Sequence, residues 1–173
     1  NLDVEGTGTV NLDGNFTGTA VRYNADGTVI LADTKNIDSS VTTATNNTGT
    51  LSLEGSSTVT GQVGASGASL KEINAGVAGT TSTFNSNVYA SNLNMTGAGT
   101  VVLNSDLTGN VVTTGNNQGI LTTTGVNQTI TGNIGSSTSL DLNTLNIGSN
   151  TVLGNYSKTT INGNVFANST VLN

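Results

Sequence analysis

The chain has 173 residues, a formal net charge of -6 and only 8% charged residues, with no cysteine, histidine or proline. Its four basic residues leave no Lys/Arg footprint for nucleic acid or anionic membrane, and the composition excludes disulfides, thiolate metal sites and histidine chemistry. Thr (32), Asn (26) and Gly (23) make up close to half of the residues, which favours strands and tight turns over helix.

Along the chain a five-residue figure recurs: apolar, polar or apolar, Gly or Ser, polar, apolar. Copies begin at Phe16 (FTGTA), Ile37 (IDSSV), Val59 (VTGQV), Phe84 (FNSNV), Leu107 (LTGNV), Ile130 (ITGNI) and Val152 (VLGNY), at steps of 21, 22, 25, 23, 23 and 22 residues. A further copy at Ile161 (INGNV) falls nine residues after Val152 and leaves the C-terminal register open. A period of this size marks one supersecondary unit stacked on the next, because no such unit buries an apolar face alone. Alternation along a strand points Leu107, Gly109 and Val111 inward and Thr108 and Asn110 outward. The outward fourth position predicts a polar column of Thr19, Ser40, Gln62, Asn87, Asn110, Asn133 and Asn155. The third position holds only Gly or Ser, expected inside, where a small residue permits a bend or a close opposite wall.

A second strand precedes the figure in most periods: GTVNL from Gly8, GTVIL from Gly27, GTLSL from Gly49 and GTVVL from Gly99. A third, less regular leg follows it, as in SLKEI from Ser69 and SLDL from Ser139. Three short strands per turn of about 22 residues predict a right-handed parallel β-helix of seven to eight coils, about 35 Å long at roughly 4.8 Å per coil. It occupies residues 1–173 as a single domain, with Phe16, Ile37, Val59, Phe84, Leu107, Ile130 and Val152 in one inward column. The absence of proline agrees, since every strand in such a stack donates to a ladder. The pattern is weakest between Gly64 and Thr83, read as an irregular leg or a protruding loop.

The chain also carries internal duplication. LDVEGTGTVNLDGNFTG from Leu2 aligns with LNMTGAGTVVLNSDLTG from Leu93 at an offset of 91, and NNTGTLSLEGSSTVTGQVG from Asn46 aligns with NNQGILTTTGVNQTITGNIG from Asn116 at an offset of 70. The offsets differ by 91 − 70 = 21 residues, one coil.

Parallel β-helices include polysaccharide lyases and hydrolases, so the acids Asp3, Glu5, Asp13, Asp26, Asp33, Asp38, Glu54, Glu72, Asp106 and Asp141 are the candidates for a catalytic carboxylate pair. No paired motif marks them, and one arginine without histidine supplies little of the base that such enzymes place beside their acids. Solvated turn acids are the preferred reading. Asn24-Ala-Asp-Gly27 lacks the spacing of a calcium loop and reads as a turn between strands. Thr17/Thr19 and Thr129/Thr131 resemble pairs in the flat threonine arrays of ice-binding β-helices, but the matching column is mainly Asn and the pairs fall in different columns. No catalytic, cofactor-binding or metal-binding residue is therefore expected, and no cofactor.

The duplicated segments Asn46 to Gly64 and Asn116 to Gly135, with the GTVxL strands, resemble the passenger-domain repeats of bacterial autotransporters, in particular the rickettsial surface cell antigens and outer membrane protein B; the likeness covers roughly two thirds of the chain. The resemblance implies a β-helix displayed at the bacterial cell surface, acting in adhesion to host cells or in a surface layer. A non-enzymatic surface scaffold or adhesion module is thus expected, with a host-cell receptor or glycan as partner, no nucleic acid and no membrane insertion; the alternative is a polysaccharide-cleaving β-helix enzyme. The first and last residues fall inside repeats, so a segment of a longer repeat protein, or a subunit that stacks end to end with its own copies, is expected.

Overall fold

The computed structural model describes residues 1–136, 139–148 and 158–173. The alternating sequence forms seventeen short strands among these residues, with no helix. In β4 (Thr28–Leu31), β6 (Thr50–Leu53) and β11 (Thr100–Leu103) every second side chain is buried and those between are half-exposed, the pattern of a strand with one face on a core.

The chain makes about seven turns of a parallel β-solenoid with three faces. The first pass contains β1 (Leu2–Val4), β2 (Thr9–Leu12) and a bridge at Phe16; the second contains β3 (Ala20–Tyr23), β4 and a bridge at Ile37. Then follow β5 (Ser40–Thr43), β6 and β7 (Ser57–Val59), and next a bridge at Val63, β8 (Leu70–Ala75) and β9 (Thr81–Phe84). The longer β10 (Val88–Met95) and β12 (Leu107–Thr113) each run across two faces and are followed by β11 and β13 (Gln118–Thr123). The last passes comprise β14 (Gln128–Thr131), a bridge at Ile134 and β15 (Leu142–Ile147), then β16 (Thr159–Asn162), a bridge at Val165 and β17 (Ala167–Leu172).

All strand-to-strand pairing is parallel and connects one coil with the next. The first face stacks Val21, Val41, Val63, Val88, Leu107, Ile130 and Ile161; the second stacks Val10, Val29, Leu51, Ile73, Leu93, Val111 and Ile134. The third stacks Phe16, Ile37, Val59, Phe84, Leu103, Thr123 and Ile147. These columns meet in one hydrophobic cluster, where each fully buried Val, Leu or Ile contributes about 1.5–3 kcal/mol. Tyr23 lies inside it and donates from its hydroxyl to the Thr50 carbonyl at 2.6 Å; burial pushes its phenol pKa up.

The expected seven-residue column is in fact two. Phe16, Ile37, Val59 and Phe84 stack on the third face, whereas Leu107 pairs with Val88 and Ile130 with Leu107, on the first. The reason lies in the corners. The five-residue figure encodes a tight corner whose two inward residues stand four apart, and up to Phe84 that corner joins the third face to the first. Because β10 passes from first to second face without a loop, the tight corner of later coils joins those two faces instead, as in Leu107 to Val111. Val152 and Asn155 lie outside the described residues, and the partner of Ile130 in the next coil is Ile161.

Two further expectations are corrected. SLKEI is not a separate leg: Ile73 pairs with Leu51, so β8 continues the GTLSL face, while in the early coils the third strand is the continuation of the figure itself, AVRY in β3 and SVTT in β5. The segment after Gly64 is irregular only in part. Ala65 and Ala68 close a small antiparallel turn, and β8 and β9 then resume the regular pattern.

The Gly/Ser position also differs from expectation. Among the described residues Ser39 alone of this set is buried, and Gly61, Gly109, Gly132 and Gly163 stand at corners against the backbone of the neighbouring coil rather than the opposite wall. A Cβ on Gly132 would come 2.2 Å from the Gly109 carbonyl oxygen, and its φ of +143° is one that side-chain-bearing residues avoid. Gly132→Ala should therefore lower stability by about 2 kcal/mol or more in urea denaturation. Gly14→Ala, where nothing stands within 4 Å, should stay within about 0.5 kcal/mol of the parent.

Candidate functional site

At each corner the chain leaves the ladder, and its amides need other partners. Side-chain oxygens of Asn and Asp supply them across coils. Asn15 Oδ1 accepts from the Asn36 amide at 3.0 Å, Asn36 from Thr58 at 2.9 Å, Asp33 from Ser56 at 2.7 Å and Asp106 from Thr129 at 2.7 Å. Asn110 accepts from the Asn133 amide at 3.0 Å and Asn133 from Asn164 at 2.9 Å, so the later part of the expected asparagine column is a ladder of carboxamides on successive amides. Every one of these bonds runs in one sense, acceptor in the earlier coil and amide in the later.

The duplicated NNxG corners follow the same rule. Asn46 Oδ1 accepts from the Ser69 amide at 2.9 Å and Asn116 Oδ1 from Asp141 at 3.3 Å, while Asn47 and Asn117 take the left-handed conformation that Asn tolerates.

The acids weighed as catalytic candidates are distributed over this scaffold. Asp33 and Asp106 hold amides, and Asp38 Oδ1 accepts from the Thr60 hydroxyl at 3.2 Å. Asp3 stands 3.7 Å from Arg22 on the neighbouring strand, and Glu5 accepts from the Asn24 carboxamide at 2.8 Å. Asp3 and Glu5 also line an open depression on the first coil, together with Val4, Thr9 and Val10. Among the described residues no group of three or more acidic side chains is placed to hold a metal ion.

The Asn24–Gly27 turn is a strut across three coils. One Asp26 oxygen accepts from the Gly49 amide at 3.1 Å, and the other accepts from Lys71 Nζ at 2.9 Å. The Lys71 bond, with the Gly49 amide behind it, holds the Asp26 carboxyl below its usual range, and the same bond raises Lys71. Asp26 thus contributes stability above the ordinary carboxylate value of about 3.9, lost as pH falls through its lowered folded value; Lys71 contributes stability below about 10.4, lost as pH rises through its raised one.

Of the threonine pairs singled out in the sequence, Thr17 and Thr19 stand exposed beside a corner outside any strand, whereas Thr129 and Thr131 lie on the first face in β14, so they share no column. The outward residues of the third face, by contrast, do form columns. β9, β11, β13 and β15 place Thr81, Thr100, Ile120 and Thr144 in one line and Thr83, Val102, Thr122 and Asn146 in the next. The GTVxL pattern in the sequence groups β11 with β2, β4 and β6, on another face, which hides these columns.

The fold and its corner bonding define the chain as a parallel β-solenoid repeat protein. Comparison with protein-family models, curated proteins and solved structures gives no match.

Two measurements check the corner chemistry. Asp33→Ala removes the acceptor for the Ser56 amide and should cost about 1 kcal/mol in urea denaturation, while Asp33→Asn, which keeps an acceptor oxygen, should cost markedly less. Lys71→Met should lower the thermal midpoint at pH 7, and the gap from the parent should close as pH falls below about 3.9 or in high salt.

Proposed function

We propose that this chain is a non-enzymatic structural or adhesion module displayed at a bacterial cell surface, a rigid spacer whose outer faces contact host-cell receptors or glycans. The observation that carries the reading is the use of the acids: Asp26, Asp33, Asp38 and Asp106 each bind a group of a following coil, so the carboxylates a glycan-cleaving enzyme would converge on a substrate are spread along the solenoid. The low charge and dense coil-to-coil bonding suit a scaffold that holds its shape outside the cell. The resemblance to autotransporter passenger repeats supplies the location.

Binding of the purified chain to cultured host cells and to a panel of immobilised cell-surface glycans tests it. Saturable binding that survives Asp38→Asn and Asp106→Asn is the expected result. Turnover of an acidic polysaccharide, abolished by substitution of one acid, would overturn the proposal in favour of a polysaccharide lyase or hydrolase.

A further inference from the structure

The outward side of the third face is unlike the other two. In β9, β11 and β13 it presents Thr81 and Thr83, Thr100 and Val102, Ile120 and Thr122, all β-branched, with Thr144 continuing it into β15. No charged residue interrupts these columns, whereas the matching outward positions include Glu72 on the second face and Asp3 and Arg22 on the first.

The hydroxyls differ as well. Threonines near corners, such as Thr80, Thr96 and Thr114, donate to backbone carbonyls. Among the described residues, no side-chain hydrogen bond engages the hydroxyls of Thr81, Thr83, Thr100 or Thr144, while Thr122 accepts one from Asn146. The face is thus a grid of methyl groups and open hydroxyls, repeating at about 4.8 Å between coils and about 6.7 Å along a strand. Its register is unbroken from β9 through β11 to β13.

This chemistry narrows the occupant. Six strands of the third-face sheet span about 24 Å, and two columns are about 6.7 Å apart, so the patch falls far below the roughly 800 Å² per partner that a stable protein interface buries. It carries no aromatic ring on which a sugar could stack and no charge for an ionic ligand. A surface that is itself a lattice fits: water frozen in a plane, whose oxygen repeats are of similar size, can accept bonds from the hydroxyls and settle around the methyl groups. The ladder holds the grid rigid before contact, so little ordering cost remains.

We propose that the third face binds ice through this threonine and valine grid, an activity separate from any receptor contact of the module. The test is the growth of a single ice crystal in a solution of the chain, viewed by microscopy while the temperature is lowered below the melting point. A gap between melting and growth temperatures, with faceted crystals, is expected. Thr100→Lys and, separately, Thr122→Lys should abolish the gap with an unchanged far-UV spectrum, whereas Thr108→Lys on the first face should retain it. Round crystals growing without a gap in the parent chain would overturn the proposal, as would a gap that persists in both third-face variants.

Discussion

The ladder hydrogen bonds run along the axis of the solenoid, from each coil to the next, and this direction governs everything else in the molecule. A residue on a face is fixed in register by both neighbours, as Leu51 is between Val29 and Ile73. A residue at a corner is not, and so length varies there: 19 residues separate Val10 from Val29, while 25 separate Val59 from Phe84. Variation confined to corners leaves the buried columns intact, because an insertion between faces shifts no inward side chain.

That division explains the unusual composition. Faces need residues that fit a pleated half-buried surface, and Thr, Val and Ile do so. Corners need an acceptor short enough to reach the amide of the following coil, and Asn and Asp serve alike: Asp106 does for Thr129 what Asn110 does for Asn133. The choice between them sets net charge without altering the bond. Glycine enters where the corner presses against the carbonyl of the coil before it, as Gly109 does on Ala90. Two buried hydroxyls are drawn into the same scheme, for Ser82 donates to the Gly55 carbonyl and Thr113 to the Leu140 carbonyl, each a coil away.

The solenoid itself was legible in the sequence, since a period near 22 residues with alternating strands admits few other folds, and the apolar residues Phe16, Ile37, Val59, Phe84, Leu107 and Ile130 do face the core, whereas the Gly/Ser position between the figure's apolar ends does not, Ser39 apart. Phase was not legible. The five-residue figure records a tight corner, and a triangular coil has three corners of nearly equal chemistry, so nothing in LTGNV says which of them it turns. Assigning Leu107 to the column of Phe84 followed from spacing alone, and the shortened coil through β10 defeated it. The same ambiguity hid the third-face grid. Thr100 and Val102 lie in β11, which shares the GTVxL pattern with β2, β4 and β6, and only the pairing of Val101 with Ser82 and Leu121 places that strand elsewhere.

The phase shift has a consequence for how such a chain grows. Leu2 pairs with Val21 on the first face, while its aligned counterpart Leu93 pairs with Ile73 on the second. Leu51 belongs to the second face, and its counterpart Leu121 to the third. Both duplicated pairs are therefore advanced by one face, and in both the local structure is kept: Asn47 and Asn117 are left-handed, and Gly49 and Gly119 follow with positive φ, each beneath a large core side chain of the preceding coil, Tyr23 and Met95. Such conservation of local form on different faces requires that a corner be specified by its own few residues rather than by its place in the triangle. Duplication out of step with the coil is then tolerated by the core, but not neutral for the surface. The outward threonines of one GTVxL set, Thr9, Thr28 and Thr50, line the second face, whereas Thr100 of the other set joins Thr81 on the third. A repeat copied with this offset presents similar chemistry in a new direction, which is how a chain of related units comes to have faces that differ.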